Sequence, residues 1–178
     1  MGTITDKAWE ESEEQINNNN HNKMETLQIS KNNAMAAFRK ADQNGKTLLS
    51  TLFGPEVFNQ KVTDRIKTFD DVLEDQGISE EHWHITTNGL SPDEIAYKQI
   101  KLIAKALNEG WEPDWDDSEE YKYYPYFRWV GSGVGFSYYD YNYDLSNSTV
   151  GSRLVYKSRE LAEYAGKQFT DIYNRFLK

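Results

Sequence analysis

Between Tyr121 and Tyr143 the chain carries eleven aromatic side chains in twenty-three residues: Tyr121, Tyr123, Tyr124, Tyr126, Phe127, Trp129, Phe136, Tyr138, Tyr139, Tyr141 and Tyr143. Aromatic side chains favour the extended backbone of a strand. Gly131-Ser132-Gly133 divides the run, so the segment is expected to fold as an antiparallel hairpin. Successive side chains of a strand point to opposite faces. Rings stand at odd and even positions alike, Tyr123 beside Tyr124 and Tyr138 beside Tyr139. One packed face therefore cannot take them all. Tyr123, Tyr124, Tyr126, Trp129, Tyr138, Tyr139 and Tyr141 are the expected binding surface, used for protein recognition or for base stacking. The competing reading is that these rings fill a core and only their hydroxyls reach the surface.

A hairpin of this kind needs something to pack on. Before it the sequence reads as helices. Ser30 is expected to cap a helix carrying Ala34, Met35, Ala37, Phe38 and Ala41, stopped at Gly45, with a second short helix over 46–53 ended by Gly54-Pro55. Thr68 caps the next, with Asp70 and Asp71 at its positive end and Gly77 as its stop. Residues 80–89 read as a polar link. Ser91-Pro92-Asp93-Glu94 is the sharpest local signal: a serine cap, proline at the first helical position and glutamate three after the cap make a capping box. That helix is expected to reach Asn108, with Ala96, Ile100, Ile103 and Leu107 as its apolar stripe and Lys98, Lys101 and Lys105 on its solvated side. After the hairpin, residues 152–157 read as a third strand. Ser158 then caps a last helix with Leu161, Ala165, Phe169, Ile172 and Phe176 inward.

The expected fold class is α+β: a helical N-terminal half packed with a small, about three-stranded antiparallel sheet and a C-terminal helix. Residues 1–23 are acidic and then asparagine-rich, and are expected to be a flexible lead. Residues 24–178 form a single domain, mainly helical over 24–110. Its second half, 111–178, holds the aromatic hairpin, the strand and the last helix.

Among its 178 residues the chain has no cysteine, which excludes disulfides, thiolate metal sites and cysteine nucleophiles. No secretory leader and no run of about 20 apolar residues is visible, so the cytoplasm is the expected compartment. A net charge of −9 repels duplex DNA as a whole, since backbone binding runs on lysine and arginine contacts to phosphate.

Candidate chemistry is sparse. Residues 112–120 form an acidic loop whose Asp114 and Asp116 imitate the start of a calcium loop. The imitation fails later: the sixth position is Glu119 instead of glycine, and the twelfth is Pro125 instead of glutamate. His82 and His84 bracket Trp83 and would share a face in a strand, where they could begin a metal site. The glycines of 131–135 lack the helix that a phosphate-cradling loop needs after it. Gly133-Val134-Gly135-Phe136-Ser137-Tyr138 faintly echoes the aromatic strand of RNA-recognition modules. No nucleophile-elbow or metalloprotease pattern is present. No catalytic residue, metal ligand or cofactor is expected.

The segments KTLLSTLFGPEVF, RIKTFDDVLEDQGIS, LIAKALNEGWEPDW, EYKYYPYF and GSRLVYKSRELAEYAGKQFTDIYNRFL are distinctive. Together they resemble an uncharacterised family of small proteins encoded by phages and prophages of gut Bacteroidales, over roughly residues 24–178. The resemblance implies a mobile-element protein acting in the cytoplasm of a bacterial host cell or in a virion. It implies no activity and carries over no functional residue. The function expected is a non-catalytic binding protein working through a protein partner or homo-oligomer on the aromatic sheet, with no duplex DNA and no membrane. The alternatives are single-stranded nucleic-acid or nucleotide binding on the aromatic face, and a metal-dependent enzyme at the acidic loop 112–120.

Overall fold

Helix starts in this chain are set by side chains that accept the unpaired backbone N–H groups of a first turn. Asp42 accepts from the Gly45 amide at 2.8 Å, Ser79 from His82 at 3.2 Å, and Ser158 from Leu161 at 3.4 Å. Thr68 accepts from Asp71 at 3.2 Å while the Asp71 carboxylate accepts from the Thr68 amide at 2.7 Å, a reciprocal capping box. The computed structural model describes residues 28–178. In it these caps open helices at α2 (Gln43–Phe53), α4 (Phe69–Gln76), α5 (Glu80–Thr87) and α7 (Arg159–Gln168). The remaining helices are α1 (Lys31–Lys40), α3 (Val62–Arg65), α6 (Pro92–Asn108) and α8 (Thr170–Leu177). Ser91 opens α6 with its amide donating to the Glu94 carboxylate at 2.8 Å. With the hairpin β1 (Lys122–Trp129) and β2 (Phe136–Asp144), the fold is α+β.

Four boundaries differ from expectation. Helix α1 ends at Lys40, because Asp42 caps the next helix and takes Gly45 into its first turn. The expected polar link over 80–89 is helix α5, since Ser79 supplies the cap. The last helix is two helices. Thr170 donates its hydroxyl to the Gly166 carbonyl at 2.6 Å, and Phe169 leaves the helical conformation at φ −113°, ψ 27°. A threonine hydroxyl on a carbonyl of the preceding turn bends a helix.

The fourth difference is topological: among the described residues the sheet has two strands instead of the three expected. Ser152–Leu154 is a 3-10 turn, and only Tyr156 pairs with the hairpin, antiparallel to Tyr123 through bonds of 3.0 and 2.7 Å. On the far side of this segment Asn108 does what a further strand would do. Its Nδ2 donates to the Val155 carbonyl at 2.8 Å and its Oδ1 accepts from the Lys157 amide at 3.0 Å. One buried amide side chain thus satisfies the backbone groups that a longer ladder would have paired.

The core is built around α6, whose Ala96, Ile100, Ile103, Ala104, Ala106 and Leu107 are all buried. Leu161, Ala162 and Ala165 of α7, Ile172 and Tyr173 of α8, Val72 of α4 and Tyr156 close over it. A satellite cluster of Ala34, Met35 and Phe58 forms where α1 and α2 meet, with Phe38 stacked on Phe58 at 4.2 Å. Charges stitch the N-terminal helices to this body. Arg39 and Arg65 converge on the buried Asp75, and Arg65 also reaches Glu109 at 3.1 Å. The expected lead over 1–23 lies outside the described residues.

Candidate binding surfaces

The strand register sorts the aromatic residues onto two faces. Tyr123 pairs with Tyr143, Pro125 with Tyr141, Phe127 with Tyr138 and Trp129 with Phe136. This face packs on α7 and α8. Phe127 lies 4.8 Å from Tyr173, and Tyr123, Phe127 and Tyr141 are partly buried against the core. Gly166 permits the approach: a Cβ there would overlap the Tyr138 ring and come within 2.8 Å of the Pro125 Cβ. Tyr138 is consequently half-buried, and burial first, then the Glu163 and Asp140 carboxylates, push its hydroxyl up to about 12.

The opposite face holds Lys122, Tyr124, Tyr126 and Arg128, which pair with Asp144, Asn142, Asp140 and Ser137. A bulge inserts Tyr139 between the Asp140 and Tyr138 pairings. Its ring therefore turns toward Tyr126, 6.4 Å away, and under the Arg128 guanidinium at 3.7 Å. Tyr126 is 50% exposed, Trp129 51% and Tyr139 53%. Tyr124, expected on the binding surface, is only 6% exposed and is a packing residue. Tyr123, Tyr138 and Tyr141 are partly covered by the helices. Of the seven expected surface residues, Tyr126, Trp129 and Tyr139 are the ones that present their rings to solvent.

The acidic loop is organised by a cation of its own. Lys122 is completely buried, donates to the Asp117 carbonyl at 3.0 Å, and pairs with Glu120 at 3.3 Å. Its ammonium also lies 5.4 Å from the Trp115 ring centre. Glu120 accepts in turn from the Trp111 indole at 3.2 Å and from the Asp114 amide at 2.8 Å. Asp114 and Asp117 accept from backbone amides two residues on. These carboxylates serve to fold the loop. Among the described residues no group of three or more histidines and carboxylates is placed to hold a metal ion. His82 and His84 lie on helix α5 instead of a strand, so a spacing of two turns them to different sides.

One feature went unread in the sequence. A cleft of about 830 Å³ opens between α5, α6, the start of the acidic loop and the 3-10 turn. Trp83 and Trp111 line it, together with Lys98, Lys101, Lys105 and Arg153. The lysines sit at positions i, i+3 and i+7 of α6, which places them along one side of a helix. That spacing was visible, but the residues that turn a solvated side into a cleft wall come from elsewhere in the chain.

Comparison with protein-family models, curated proteins and solved structures finds no match to this chain. Function is therefore argued from these surfaces.

Proposed function

We propose that this chain is a non-catalytic binding protein that engages a protein partner, or a second copy of itself, through the free end of the aromatic hairpin. The observation that carries this is the cluster of Tyr126, Arg128 and Tyr139 on one face of the bulged hairpin, with the Tyr126 and Tyr139 rings half exposed and Trp129 half exposed on the other face at its tip. Tyrosine, tryptophan and arginine are the residues that dominate binding energy at protein interfaces. Stiff aromatic side chains lose little conformational freedom when they are covered. Val130 and Val134 extend the exposed apolar surface around the turn.

A protein partner is favoured over single-stranded nucleic acid because Asp140 stands directly across from Tyr126 in the register. Its carboxylate would oppose a phosphate backbone beside the ring that a base would use. The resemblance to phage and prophage proteins makes a bacterial host lysate or a virion the place to look for that partner. The test compares the unaltered chain with Tyr126→Ser/Tyr139→Ser, after circular dichroism has shown both to be folded. Sedimentation is measured for each, and capture from phage-infected lysate is run with and without nuclease. Loss of self-association or of a nuclease-resistant protein from the variant is expected. Retention of both by the variant would refute the surface, and loss of only nuclease-sensitive material would transfer it to nucleic acid.

A further inference from the structure

We infer that the cleft between α5 and α6 is a binding site for a small anion of the nucleoside phosphate class, a planar base joined to phosphate, distinct from the hairpin surface and independent of it. Its charge is opposite to that of the molecule. The whole chain has 29 acidic and 20 basic residues, yet the cleft is lined by Lys98, Lys101, Lys105 and Arg153 against Glu112 as its carboxylate. Unpaired like charges repel, so a cluster of this sign in an acidic protein needs a reason to persist.

Two of the four cations are available. Lys105 and Arg153 are exposed and form no ion pair or hydrogen bond through their side chains among the described residues. Arg153 is brought to the cleft by the 3-10 turn, and that turn is held in place by the Trp115 indole donating to the Ser152 hydroxyl at 2.7 Å. Lys98 has a structural duty. It donates to the Thr86 carbonyl at 2.8 Å and so ties the end of α5 to α6, which fixes one wall.

The other half of the ligand is read from the indoles. Trp83 is seated on Phe69 at 4.9 Å, and Trp111 is held by its Nε1 bond to Glu120 and its amide bond to the Asn108 carbonyl at 3.0 Å. Both rings are partly exposed and neither is free to swing away. Aromatic surface beside cations suits a planar base joined to phosphates. The volume lies within the roughly 300–1,000 Å³ of small-molecule sites. Inorganic phosphate would use only the cations and leave the indole walls uncovered.

The experiment titrates the full chain with ATP, adenosine and inorganic pyrophosphate, followed by calorimetry and tryptophan fluorescence. Saturable ATP binding is expected, with adenosine and pyrophosphate each at least about tenfold weaker, because each makes half of the contacts. Lys105→Glu/Arg153→Glu, both exposed positions, should weaken ATP by about tenfold or more while the melting curve is unchanged. Tyr126→Ser/Tyr139→Ser should bind ATP as the unaltered chain does, which keeps the hairpin surface and the cleft separable. Absence of saturable ATP binding, pyrophosphate binding as tightly as ATP, or ATP binding indifferent to the double charge reversal would each overturn the assignment.

Discussion

The hydroxyls of Tyr156 and Tyr173 lie 2.8 Å apart in the centre of the core, with Tyr156 fully buried and Tyr173 nearly so. Each is the other's partner. Replacing either by phenylalanine strands one buried hydroxyl, whereas replacing both removes the demand altogether. Tyr156→Phe and Tyr173→Phe should each lose about 1–2 kcal/mol, and the double variant should lose less than the sum. Urea denaturation of the four proteins closes the cycle. Strict additivity would show that the two hydroxyls do not depend on each other.

The same burial makes the fold sensitive to alkali. Desolvation raises the hydroxyl pKa of Tyr138, Tyr156 and Tyr173, to about 12 for Tyr138 and well above the ordinary 10 for Tyr156. A group whose pKa is higher folded than unfolded contributes its stability in full below the unfolded value, here about 10, and loses it as pH rises toward the folded value. Stability should therefore be flat up to about pH 10 and then fall steeply. Absorbance at alkaline pH should show these buried tyrosines ionising together with unfolding. Tyrosine ionisation completed before any loss of circular dichroism would contradict this.

Gly166 is expected to resist the usual gain from alanine. In an isolated helix Gly→Ala adds about 1 kcal/mol. Here the new methyl would run into Tyr138 and Pro125, and overpacking costs typically about 1–3 kcal/mol. The sum should be a lower melting temperature and a loosened contact between α7 and the hairpin. A stabilised Gly166→Ala protein would mean the hairpin shifts freely on the helix.

Lys122 should govern the acidic loop before it governs the fold. Lys122→Met keeps most of the buried stem but removes the bond to Asp117 and the pairing with Glu120. A loss of about 2–3 kcal/mol is expected for a charged group's buried hydrogen bonds. Amide exchange should rise first over 112–120. Uniform acceleration across the core, with the loop no faster than the rest, would show that Lys122 acts as general packing.

Local chemistry made much of the helical scaffold legible. The caps at Thr68, Ser91 and Ser158 and the stop at Gly77 depend on side chains within a few residues of the groups they satisfy, so the order of residues alone states them. The hairpin was legible for the same reason: aromatic strands interrupted by Gly131-Ser132-Gly133. The cap of α5 at Ser79 and the break at Phe169 were local as well, but each competed with a pattern that pointed the other way.

What only the tertiary structure decided depends on partners far apart in the chain. Asn108 replaces a strand for Val155 and Lys157 from nearly fifty residues away, so residues 152–157 need no ladder and do not form one. The bulge at Tyr139 decides that this ring meets Arg128, and alternation along a strand cannot foresee an inserted residue. Tyr124 and Tyr126 share a strand face and the same chemistry, yet one is buried and the other open. The lysines of α6 were visible as a row, but the cleft exists because Trp111 and Arg153 are brought against them by bonds to Glu120 and between Trp115 and Ser152. A sequence states which groups want partners over a few residues. Which distant group answers them is settled only when the whole chain has packed.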